Sequence, residues 1–93
     1  MILTIIPIDG AVYKDGLVYT NLNLSFVPTN IHALQFNTVS NAGWLEFKLD
    51  DFGNKENNQV ITELPEWANI CLDKWDEAKV QKETAELEKI GAQ

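Results

Sequence analysis

The bond between Leu64 and Pro65 divides the chain into two unlike kinds of sequence. Ahead of it, apolar residues come in short runs broken by Gly, Pro, Asn and Asp. Behind it, one uninterrupted helical pattern places Trp67, Cys71, Trp75 and Ala78 within an arc of roughly 80° at 100° per residue, with Ile70 beside them. Short runs punctuated by turn residues make strands and hairpins. A helix with so narrow an apolar stripe needs a flat surface to lie on. The seam therefore predicts an α+β fold: a small antiparallel β-sheet of about four to six strands built from hairpins, with one long C-terminal amphipathic helix packed on one face.

The punctuation resolves the first part into segments. Ile2 to Ile6 reads as a strand that Pro7 ends or confines to an edge. Ala11-Val12-Tyr13 and Leu17-Val18-Tyr19 flank Lys14-Asp15-Gly16, a hairpin signal because Gly16 can take positive φ without a Cβ clash. Leu22, Leu24 and Phe26 alternate with Asn23 and Ser25, the period of a half-buried strand. Ile31 to Phe36 follows, with His32, Leu34 and Phe36 assigned to one face. After a polar connection from Asn37 to Gly43, Leu45, Phe47 and Leu49 alternate with Trp44, Glu46 and Lys48, which suggests a second hairpin. Asp50 to Asn58 is a loop by composition, and Gln59-Val60-Ile61 adds a short extended stretch.

Thr62 is a candidate cap for the helix, Pro65 belongs in its first turn, and acids lie near its positive end. The helix is expected from about Pro65 to Ile90, with Gly91 as the stop. From Lys79 onward the stripe is lost: charged residues dominate, and Val80, Leu87 and Ile90 fall on a different side. The domain is thus placed at residues 1–78, and residues 79–93 form a charged helical extension. Lys82–Glu86 and Glu86–Lys89 have spacings that support a solvated helix.

Ninety-three residues make one domain near the lower end of independent folding, so stability completed by a partner or a second copy is a natural expectation. Seven Lys stand against fourteen Asp plus Glu, a net charge of −7, and no Arg is present. Without the guanidinium fork that grips phosphates and base edges, an acidic chain is expected to bind neither nucleic acid nor an anionic membrane surface. The apolar opening Met1 to Ile8 lacks a basic flank and is cut by Pro7 and Asp9-Gly10, so it is not a signal peptide, and it is too short to span a bilayer. The expectation is a protein made and kept in the cytoplasm.

Reaction chemistry is sparse. The glycines are isolated turn residues rather than a phosphate loop, and one Cys and one His supply too few ligands for a zinc site. Ser25 and Ser40 carry no nucleophile elbow. Cys71 reads as a small buried hydrophobe rather than a nucleophile. Asp50 to Asn58 offers several hard oxygens to a cation, but its spacing is not that of an EF-hand and Lys55 sits in its middle; a plain surface turn is the better reading. The expectation is therefore no enzyme, no cofactor and no metal. Candidate interaction residues are His32, Trp44, Val80, Leu87 and Ile90. His32 is either a satisfied sheet histidine or a pH-sensitive contact. Trp44 is either covered by the helix, the favoured reading, or an interface anchor.

Four segments together carry a resemblance: Pro7 to Gly16, Asn30 to Phe36, Gly43 to Phe47 and Ile61 to Trp67. The stretch His32-Ala33-Leu34-Gln35-Phe36, then a loop, then Gly43-Trp44-Leu45-Glu46-Phe47 contributes most. These residues resemble small accessory proteins encoded beside tail and tail-fibre genes of tailed bacteriophages, including marine phages. The resemblance spans most of residues 7–78; Phe36 stands where related sequences often have Trp. It implies a non-catalytic virion component or assembly factor. Such a protein would work in the host cytoplasm during assembly or in the virion tail, bound to a tail or fibre protein or self-associated through the C-terminal helix. The alternative is a small acidic regulatory module that binds a host protein.

Overall fold

The structure, a computed structural model, describes the backbone of residues 1–91 and the side-chain surroundings of residues 1–86. The elements are β1 (Ile2–Ile6), a 3-10 turn (Pro7–Asp9), β2 (Ala11–Lys14), β3 (Leu17–Tyr19), β4 (Ile31–Asn37), β5 (Ala42–Phe47), β6 (Gln59–Ile61) and α1 (Glu66–Gly91). All six strands join one antiparallel sheet in the order β3-β2-β1-β4-β5-β6. Two three-stranded meanders thus lie side by side, joined where β1 pairs with β4. The α+β fold expected from the seam is the fold observed.

Local chemistry explains the turns. Asp15 and Gly16 both take positive φ, 50° and 85°, the requirement of a two-residue hairpin whose twist matches its strands. The Asp15 carboxylate accepts the Ile2 N–H at 2.9 Å and ties that turn to the start of β1. Gly43 is needed for another reason. A Cβ there would stand 2.7 Å from the Phe36 Cα and 2.8 Å from its ring, and would collide with the Gln35 carbonyl oxygen. The missing side chain lets the Phe36 ring settle over its cross-strand neighbour.

The inner face carries Leu3, Ile5, Val12, Leu34, Phe36, Leu45 and Phe47, all buried. Two covers close it. The crossover from β3 to β4 inserts Leu24 and Val27, and α1 inserts Ala68, Cys71 and Trp75, with Trp67 and Leu72 alongside. Trp75 fastens the helix to the β2–β3 hairpin. Its indole N–H donates to the Leu17 carbonyl at 3.0 Å, and its ring meets Tyr19 edge-on at 5.3 Å. Lys14 lies 4.7 Å and Lys79 5.6 Å from its centroid, and Lys14 also pairs with Asp76 at 3.6 Å.

Several local expectations are corrected. Leu22 to Phe26 alternates but is not a strand, because after β3 the chain must cross the sheet rather than extend it. Asn23 accepts the Ser25 N–H, and Val27 N–H closes a turn on Leu24, so the segment satisfies itself locally. His32 does not share a face with Leu34 and Phe36. Ile31 opposes Phe47 and Ala33 opposes Glu46, so His32 is the extra residue of a β-bulge; Ile31 turns inward and His32 is exposed. Leu49 and Ile70 are also exposed. Leu49 lies beyond β5 in an isolated bridge to Lys55. Thr62 does not begin the helix, which starts at Glu66 after Ala68 N–H bonds the Pro65 carbonyl. Gly91, expected as the stop, is itself helical; residues 92–93 lie outside the described residues.

Candidate functional site

The helix and the crossover both cover the inner face; on the outer face Ala11 and Ala33 are buried, and the row beyond them stays open. Period-two geometry sends Thr4, Tyr13, Val18, Gln35, Trp44 and Val60 outward. The register places them in one row across all six strands: Val18 opposes Tyr13, Tyr13 opposes Thr4, Thr4 opposes Gln35, Gln35 opposes Trp44, and Trp44 opposes Val60. Ile2 lies beside this row, two residues along β1 from Thr4. Four of these side chains are well exposed: Val60 by 76%, Ile2 by 60%, Trp44 by 43% and Tyr13 by 37%.

The polar groups of this face are largely self-satisfied. The Thr4 hydroxyl donates to Gln35 Oε1 at 2.6 Å. The Trp44 indole N–H donates to Glu46 Oε2 at 3.1 Å, two residues along the same side of β5. Glu46 is the one formally charged side chain among the outward strand positions. A face with two aromatic rings, aliphatic flanks and little charge has the composition of a protein contact surface. A hollow of about 130 Å³ opens between Ile2, Gln35 and Trp44.

The five expected interaction residues do not form one site. Trp44 lies on the sheet face opposite the helix, so the reading that the helix covers it is corrected. His32 is on the neighbouring strand but in another row, since Gln35 is Trp44's partner. Val80 is exposed on the helix, beyond the last residues that touch the sheet. The side chains of Leu87 and Ile90 lie outside the described residues. Tyr13, Val18 and Val60 belong to the open row and escaped the sequence reading. Their outward alternation was visible, but the register that aligns them with Trp44 was not.

A hollow of about 310 Å³ beside the Asp50 loop is lined by Lys48, Asp50 and Lys55. The Asp50 Oδ1 atom already accepts the Phe52 and Asn54 N–H groups, at 2.9 and 2.8 Å, which holds the loop as a self-bonded turn. No group of three or more His, Cys, Asp or Glu able to hold a metal occurs among the described residues. Cys71 is fully buried, and burial pushes its thiol pKa up to about 11. Among the described residues no helix is long and apolar enough to cross a membrane. Comparison with protein-family models, characterised proteins and solved structures finds no match to this chain.

Proposed function

We propose that this chain is a non-catalytic accessory protein of a bacteriophage tail or tail fibre, acting through protein–protein contacts as a virion component or an assembly factor. The observation that carries the reading is the open sheet face, where Trp44, Tyr13, Val60 and Ile2 stand exposed around a nearly uncharged row. Exposed aromatic and aliphatic side chains on a face this low in charge are the composition of protein contact sites. The segments behind the resemblance to tail-associated proteins also build this face. Asn30 to Phe36 supplies β4, and Gly43 to Phe47 supplies β5 with its Trp44–Glu46 pair.

The test is co-expression with the tail and fibre proteins encoded beside it, followed by affinity capture through a tag on this chain. A stable complex with one of those proteins is the expected result. Capture of none of them refutes the reading. Capture of a basic host protein instead supports the small acidic regulatory module, which the net charge of −7 would suit.

A further inference from the structure

We infer that the open sheet face takes a second copy of this chain, packed face to face about a two-fold axis that runs parallel to the strands between β1 and β4. The inference rests on the reading that the protein works through contacts. Its particular content is the occupant and its register.

A symmetric pair demands a self-complementary surface, because each patch must fit its own copy. The open row meets that demand. Read across the sheet it runs Val18, Tyr13, Thr4, Gln35, Trp44, Val60: apolar, aromatic, polar, polar, aromatic, apolar. The topology has the same centre, with one meander on each side of the β1–β4 pairing. Rotation about the stated axis lays Val18 over the partner's Val60, Tyr13 over the partner's Trp44, and Thr4 over the partner's Gln35. The Thr4 hydroxyl already donates to Gln35 Oε1 within one copy. That leaves the Gln35 amide N–H groups free to reach the Thr4 oxygen across the pair.

Charge and area favour this occupant. Two chains of net charge −7 repel, so a self-contact must use a neutral surface. The outer face is that surface, and its one carboxylate, Glu46, is engaged by the Trp44 indole. From the fractional exposures, the face presents on the order of 600 Å² per copy. A pair that covered the whole face would bury at most about 1,200 Å² in total, the lower end of the range for stable interfaces. Two such sheets stack about 10 Å apart with their central strands parallel to the axis, which leaves both helices on the outside.

Sedimentation velocity on the full-length protein tests the pairing. The expected species has twice the 10.5 kDa chain mass and dissociates in the micromolar range. Trp44→Glu, Val18→Lys and Val60→Glu should each weaken the pair at least about tenfold, since each buries an unpaired charge. Thermal unfolding should show each variant still folded, because these side chains lie outside the core. The double variant Val18→Lys/Val60→Glu should regain most of the lost affinity, because the stated axis sets each lysine against a partner glutamate. A wild-type monomer at about 100 μM, a concentration well above micromolar dissociation constants, overturns the proposal. So does a dimer indifferent to Trp44→Glu, or a double variant no tighter than either single one. A monomer that still captures a fibre protein refutes the pairing alone; a dimer that captures none refutes the tail reading alone.

Discussion

Replacing Gly43 with alanine should destabilise the fold even though a glycine-to-alanine change in a strand ordinarily helps. The usual gain comes from the unfolded chain, which has less freedom to lose, and is worth about 0.4–1 kcal/mol. Here the new methyl would stand 2.7 Å from the Phe36 Cα and 2.8 Å from Phe36 Cδ2, and would collide with the Gln35 carbonyl oxygen. The Phe36 ring can swing aside. The Cα and the carbonyl belong to β4, which is paired with β1 on its other side, so they move only if a ladder opens. Overpacking by one methyl costs about 1–3 kcal/mol, and backbone obstruction puts this site at the upper end. After subtracting the entropic gain, the net loss is about 2 kcal/mol. For a domain of this size that lowers the melting temperature by about 8–16 °C. Circular dichroism melts and urea titrations at one fixed protein concentration measure it. Combining Gly43→Ala with Phe36→Leu separates ring from backbone: the backbone argument expects no rescue. A Gly43→Ala protein as stable as wild type, or one restored by Phe36→Leu, refutes the reasoning.

Two further outcomes are expected. Trp75→Phe keeps a ring against Tyr19 but leaves the Leu17 carbonyl without its donor; a loss of about 1–2 kcal/mol should appear as an earlier urea midpoint, and an unchanged midpoint would show that the bond contributes nothing. The second concerns alkaline pH. Burial raises the Cys71 thiol from 9.0 to about 11, so between those values the unfolded chain releases a proton that the folded chain retains. Stability from this group is full below pH 9 and falls as pH rises toward 11, by at most about 1.4 kcal/mol per pH unit. Cys71→Ala should flatten that part of the stability profile, and identical profiles would exclude the thiol as the cause.

Much of the architecture was legible because its signals are local. The Asp15-Gly16 turn, the alternation of Leu45 and Phe47, and the Trp67–Cys71–Trp75 stripe each state a period or a turn within a few residues. What escaped depends on contacts far apart in sequence. Leu22, Leu24 and Phe26 alternate as a strand would, yet nothing in those residues says that the chain must cross the sheet there. The bulge that turns His32 outward becomes visible only when Ile31 and Ala33 are set against Phe47 and Glu46. The open face was half legible. Trp44 was recognised as outward, but which side the helix covers is decided by Trp75 docking on the β2–β3 hairpin. The row from Val18 to Val60 exists only once the register of five strand pairs is known.

The fastening of the β2–β3 hairpin by Trp75 sets a later-made segment of the chain over an earlier one. A ribosome completes β3 at Tyr19 more than fifty residues before it adds Cys71 and Trp75. Throughout that interval the inner side of the first meander lacks its lid, and Val12 and Tyr19 are bare. A nascent chain halted before Trp75 therefore presents an unfinished apolar surface to its surroundings, the kind of intermediate that chaperones hold and proteases remove. Arrival of Cys71 and Trp75 is consequently the event that closes the first meander and withdraws its apolar side from its surroundings.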